Sequence, residues 1–181
     1  MIPLFDLFLL VFVGSSVGFD LKEKRIPNWL VLFAALVGIG IHAAKGTAPF
    51  LASVLGLGLG IGILFLPFTF GWLGAGDVKF FGAIGSLLGA QFVPRIFFYA
   101  TMLGVILAIM AIFSQTIDLG GFIKRAWRDV KLLVMSRGQV LPESLNSRSA
   151  KGVHTLPFGV AIGLGTLIAF YVDPRGHYAG F

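Results

Sequence analysis

Cysteine is absent from this chain, which excludes disulfides, thiolate catalysis, and zinc or iron–sulfur sites built on cysteine ligands. Charge is scarce as well. Only 12% of the 181 residues are Asp, Glu, Lys or Arg, while 57% are hydrophobic. With a mean hydropathy of +0.94, that shortage leaves too little polar surface to cover a soluble domain, and an integral membrane protein is indicated. Histidine occurs three times, as His42, His154 and His177, without metal-ligand spacing, so neither a metal nor another cofactor is expected. The net charge of +6 does not point to nucleic acid, because the basic residues gather between apolar runs, where membrane orientation accounts for them.

What is present in abundance is apolar sequence in runs near the ~20 residues that a helix needs to cross a hydrocarbon core. The runs predict an all-α, polytopic membrane protein with six spans near residues 2–19, 29–44, 50–70, 78–93, 96–117 and 154–172, forming one domain over 1–181. The first run lacks a basic leader, carries Asp6 and precedes no small-residue cleavage motif, so it reads as a retained span rather than a secretory signal. The fourth is short and glycine-rich, and its ends are the least defined. Alternating the spans places Lys22, Lys24, Arg25, Lys79, Lys124, Arg125, Arg128, Lys131, Arg137, Arg148 and Lys151 on one side of the membrane. Lys45, Arg95 and Arg175 fall on the other. By the positive-inside rule the first side is cytoplasmic and the amino terminus is outside. The long polar loop, about 118–153, opens with Ile123, Trp127, Val130 and Val134 at helical spacing opposite basic residues. An amphipathic helix lying on anionic lipid is expected there.

Two carboxylates stand at the edges of apolar runs on the same, cytoplasmic side. Asp20 ends the first run and precedes Lys24-Arg25-Ile26-Pro27-Asn28. Asp77 lies in Gly74-Ala75-Gly76-Asp77-Val78-Lys79, where glycine leaves the backbone free to bend and lets another segment approach. Two acids sharing a site cannot both ionise easily, so one can hold a proton while the other activates water. Asp20 has an ordinary alternative, a solvated loop with a charge at a helix end, and a Gly-x-Gly-Asp such as that at Asp77, taken alone, is common by chance. Lys79 could orient Asp77 or snorkel to lipid phosphates. Asp6 and Asp118 read as boundary charges, and Gln115 and His154 as buried hydrogen-bonding or headgroup contacts.

Asp20 with Lys24-Arg25-Ile26-Pro27-Asn28, the Gly74-Ala75-Gly76-Asp77-Val78-Lys79 run, and a late Leu156-Pro157-Phe158-Gly159 together resemble the type IV prepilin peptidase family, the GxGD aspartic membrane proteases. The resemblance implies that Asp20 and Asp77 form the catalytic pair, with Gly74, Gly76 and Lys79 supporting. It implies a prepilin or pseudopilin substrate with a basic leader and an apolar helix, cut at the cytoplasmic boundary of a bacterial inner membrane. Larger members carry an additional cytoplasmic region with paired CxxC motifs and methylate the new amino terminus; this chain has neither that insertion nor any cysteine, so methyl transfer is not expected of it. In that respect it is similar to the compact peptidases of Flp, tight-adherence pilins and to archaeal preflagellin peptidases. A different class, a small ion-coupled transporter, could use the same carboxylates, although transporters place them nearer the bilayer midplane. A noncatalytic assembly component is a third possibility.

Overall fold

The computed structural model describes residues 4–23, 25–70, 73–113 and 158–172, with isolated positions 120, 124, 127, 128 and 131. Its described elements are helices throughout. They are α1 (Leu4–Glu23), α2 (Asn28–Ala44), α3 (Thr47–Thr69), α4 (Ala75–Leu88), a 3-10 turn (Ala90–Phe92), α5 (Val93–Phe113) and α6 (Phe158–Leu167), which runs into a π-helical turn (Ile168–Val172). Three stretches, Leu4–Glu23, Thr47–Thr69 and Ala90–Met110, are long and apolar enough to cross a membrane; Asn28–Ala44 and Phe158–Val172 are shorter apolar helices. Leu10, Val11, Leu32, Phe33, Leu36, Leu55, Phe65 and Met102 face outward. A surface of that kind suits lipid and would be a liability in water.

Several helix ends differ from the hydropathy boundaries, each for a local reason. α1 continues through Asp20 to Glu23, because Leu21, Lys22 and Glu23 are good helix formers and a helix need not stop where its apolar run does. Pro27, with extended backbone (φ −61°, ψ 131°), caps α2 from outside, and Asn28 is the first helical residue. The turn between the fourth and fifth helices falls at Gly89 rather than at Pro94. Gly89 takes φ +88°, which ends α4 cheaply only for glycine, and Pro94 sits in the first turn of α5, where its missing N–H costs nothing. The amphipathic helix expected in the polar loop lies mostly outside the described residues; Lys124, Trp127, Arg128 and Lys131 are helical and exposed.

α4 is the centre of the bundle. Its 14 residues rise about 21 Å, short of a ~30 Å hydrocarbon core, and eleven of them are buried, so it is enclosed by other helices rather than by lipid. α3 comes against it backbone to backbone. A Cβ on Gly60 would stand 2.9 Å from the Gly82 Cα, and a Cβ on either Gly56 or Gly85 would collide with the other's carbonyl oxygen. Gly56 and Gly60 are one turn apart, the small-xxx-small spacing that lets membrane helices approach closely. Ser53 Oγ reinforces this contact by donating to the Ser86 carbonyl at 2.7 Å. On the α2 side, a Cβ at Gly38 would lie 2.8 Å from the Ser86 carbonyl carbon, and Ser86 Oγ donates to the Ala35 carbonyl at 3.4 Å. α1 reaches α4 through Phe12, whose ring meets Phe80 edge-on at 5.5 Å.

Candidate active site

Asp20 and Asp77 are the buried carboxylates among the described residues, each 9% exposed. Asp20 occupies the last turn of α1, on the buried face that also carries Leu9, Phe12, Val13 and Ser16. Asp77 occupies the first turn of α4, ahead of the apolar run that begins at Val78 and outside the spans named above. Its place is set locally. Gly74, in extended conformation (φ −75°, ψ 150°), caps the helix; the Asp77 N–H donates to the Gly74 carbonyl at 3.1 Å, and the Gly74 N–H donates to Asp77 Oδ2 at 3.2 Å. A carboxylate folded back on the N-cap amide is the acidic half of a capping box. Gly76 lies against the connection between α1 and α2, where a Cβ would be 3.5 Å from the Ile26 nitrogen, and Ile26 itself is buried.

The two acids meet at Gly159, the second residue of α6. The Gly159 N–H lies close enough to Asp77 to favour its charged form, and a Cβ on Gly159 would stand 2.6 Å from Asp20 Oδ2 and 2.9 Å from its Cγ. Glycine is thus required there by the Asp20 side chain. Burial foremost, and then the neighbouring Asp20 charge, push the Asp77 carboxyl up from 3.8 to about 7, against the lowering effect of the Gly74 and Gly159 N–H groups. Desolvation wins over two backbone hydrogen bonds and a helix N-terminus because those partial charges replace only part of the water lost. The arrangement suits a pair sharing one proton.

Of the residues predicted to support the pair, Gly74 caps and hydrogen-bonds Asp77, and Gly76 gives room for Ile26. Lys79 is directed elsewhere: its exposed Nζ donates to Asn28 Oδ1 at 3.0 Å, tying α4 to the start of α2. Gly159 stands in the sequence as part of a motif rather than as a site residue, and its signal there is the Pro157-Phe158-Gly159 run. Asp6 is partly buried at the far end of α1, away from the pair. Gln115, Asp118, Leu156, Pro157 and His154 lie outside the described residues. No three acidic or histidine side chains gather to hold a metal among the described residues.

Prepilin peptidase EppA of Methanococcus maripaludis is 26% identical over 130 residues, covering 68% of this chain and 33% of that protein. The prepilin leader peptidase/N-methyltransferase of Bacillus subtilis is 30% identical over 111 residues, covering 59% of this chain and 42% of that protein. The aligned stretch is thus less than half the length of either relative. No solved structure gives a significant match. Residues 7–109, which include Asp20 and Asp77 and more than half of the sequence, match the type IV leader peptidase family, and the chain belongs to that family.

Proposed function

We propose that this protein is a membrane aspartic endopeptidase that removes the basic leader from prepilin-like substrates, with Asp20 and Asp77 as its catalytic residues. The observation that carries the proposal is the burial of Asp20 and Asp77 as a pair beside Gly159, where α1, α4 and α6 come together. In the proposed reaction the ionised member of the pair takes a proton from a water molecule as its oxygen attacks the scissile carbonyl. The protonated member hydrogen-bonds the carbonyl oxygen as negative charge develops there. Collapse of the tetrahedral intermediate breaks the C–N bond, with a proton passing to the leaving amine. No covalent enzyme intermediate is formed.

The domain is taken as a single unit over 1–181, in a bacterial inner membrane, with the acids at its cytoplasmic face and the amino terminus outside. A prepilin leader waits in the cytoplasm while its apolar helix sits in the bilayer, so a cut at their junction needs groups at the depth of Asp20 and Asp77. Flp-type pilins are the proposed substrates, and anionic lipid the proposed contact of the basic loop. The absence of cysteine favours peptide hydrolysis without the methyl transfer named for the Bacillus subtilis relative.

The test is direct. Purified protein in lipid nanodiscs is mixed with a basic-leader, glycine-cut prepilin, and new amino termini are mapped by mass spectrometry. The wild type is expected to cleave once at the leader junction, and folded Asp20→Asn and Asp77→Asn proteins not at all. Full cleavage by either variant removes the two-acid mechanism. Proton or solute flux lost in the same variants, without cleavage, favours a carrier.

A further inference from the structure

Four helical hydroxyls are buried among the described residues: Ser16, Ser53, Ser86 and Thr166. Three are hydrogen-bonded to carbonyl oxygens, Ser53 to Ser86 at 2.7 Å, Ser86 to Ala83 at 2.8 Å and Thr166 to Ile162 at 2.7 Å. Ser16 differs. Its Oγ is enclosed, and no described residue is its hydrogen-bond partner. The usual refuge of a helical serine is the carbonyl one turn back, which for Ser16 belongs to Phe12. That carbonyl already accepts the Ser15 hydroxyl at 3.0 Å. A buried hydroxyl without a partner is costly, and its persistence asks for an occupant.

Ser16 lies one turn before Asp20 on the same buried face of α1. Residues so spaced are neighbours, with Cβ atoms about 5–6 Å apart, a gap that one water molecule spans. One turn further along, the Phe12–Phe80 contact is wholly apolar, so on this face of α1 the polar surface consists of Ser16 and Asp20.

We propose that Ser16 is a positioning residue whose hydroxyl holds a water molecule against the Asp20 carboxylate and through it fixes the orientation of that carboxylate in the pair. The hydroxyl and the carboxylate oxygens supply the two to four partners that a buried water needs. The buried charged groups among the described residues are Asp20 on α1 and Asp77 on α4, while Lys22 and Glu23, in the last turn of α1, are exposed. Lys79 is engaged by Asn28, Arg25 is exposed, α2 offers nothing titratable before His42, and α6 nothing before Tyr171. The inference rests on the hydrolytic function proposed above.

Wild-type, Ser16→Ala and Ser16→Thr proteins in nanodiscs are compared by two readouts: steady-state cleavage of the prepilin, and infrared difference titration of the carboxyl C=O band. Ser16→Ala is expected to lower kcat on the order of tenfold to a hundredfold with KM unchanged, and to move the acidic limb of the pH profile upward, because a donor to the ionised carboxylate is lost. The carboxyl band is expected to shift and to titrate at higher pH, and Ser16→Thr to restore both. A hydroxyl that only packs would change melting temperature and leave the band and the pH limb in place. A wild-type band and titration in Ser16→Ala overturns the proposal. Should the wild type cleave no prepilin, the peptidase function fails while the infrared comparison still decides the role of Ser16.

Discussion

Replacing Asp77 by Asn tests the burial of its carboxyl without any substrate. Asn keeps the shape and an oxygen for the Gly74 N–H, and removes the ionisable group. In the folded protein Asp77 holds its proton to about pH 7, whereas its ordinary value is 3.8. The native state therefore binds more protons than the unfolded state between about pH 4 and pH 7, and stability falls as pH rises through that window. At 1.36 kcal/mol per tenfold, the gap is worth on the order of 4 kcal/mol, or roughly 10 °C in Tm for a chain of this size. Below pH 4 the wild type and Asp77→Asn should melt together. By pH 8 the variant should be the more stable by that margin. Thermal melts in one detergent at unit pH steps, followed by far-UV circular dichroism, measure the difference. A difference that stays constant from pH 4 to pH 8 would refute the burial of a proton-sharing acid at this position.

Gly159→Ala should leave the helices folded but drive a methyl into Asp20, so cleavage is expected to fall by about a hundredfold or more while circular dichroism is retained. Gly85→Ala should separate α3 from α4 and cost about 1–3 kcal/mol, read from chemical denaturation in micelles. Cleavage by the wild type should decline as pH rises above about 7, when Asp77 loses its proton. Lys79→Ala removes one exposed hydrogen bond to Asn28 and should change stability by about 1 kcal/mol or less, with no displacement of the pH profile.

Apolar run length was enough to read the all-helical class and the number of described helices that bear on the site, since a membrane helix must satisfy its own backbone. Helix ends were less legible. Hydropathy marks where lipid-compatible sequence stops, but α1 runs past Asp20 because helix propensity, not hydropathy, governs its last turn. In the Gly74–Gly89 stretch hydropathy is too even to mark either end, and the stops are set by capping at Gly74 and the positive φ of Gly89. Asp20 and Asp77 stood out because a carboxylate beside an apolar run needs a reason to be there. Gly159 carries no such mark: a residue whose contribution is one N–H and a missing methyl becomes visible only when packing brings it between two acids. Ser16 was equally silent, since serine is common in membrane helices and only the bonding of its neighbours sets it apart.

The placement of Gly159 also bears on biosynthesis. Both acids are translated within the first 77 positions, yet Gly159, beside which they lie, is made only when α6 emerges. A nascent chain halted in the polar loop holds its acids without that neighbour, so assembly of the buried pair's surroundings waits on α6 entering the bundle.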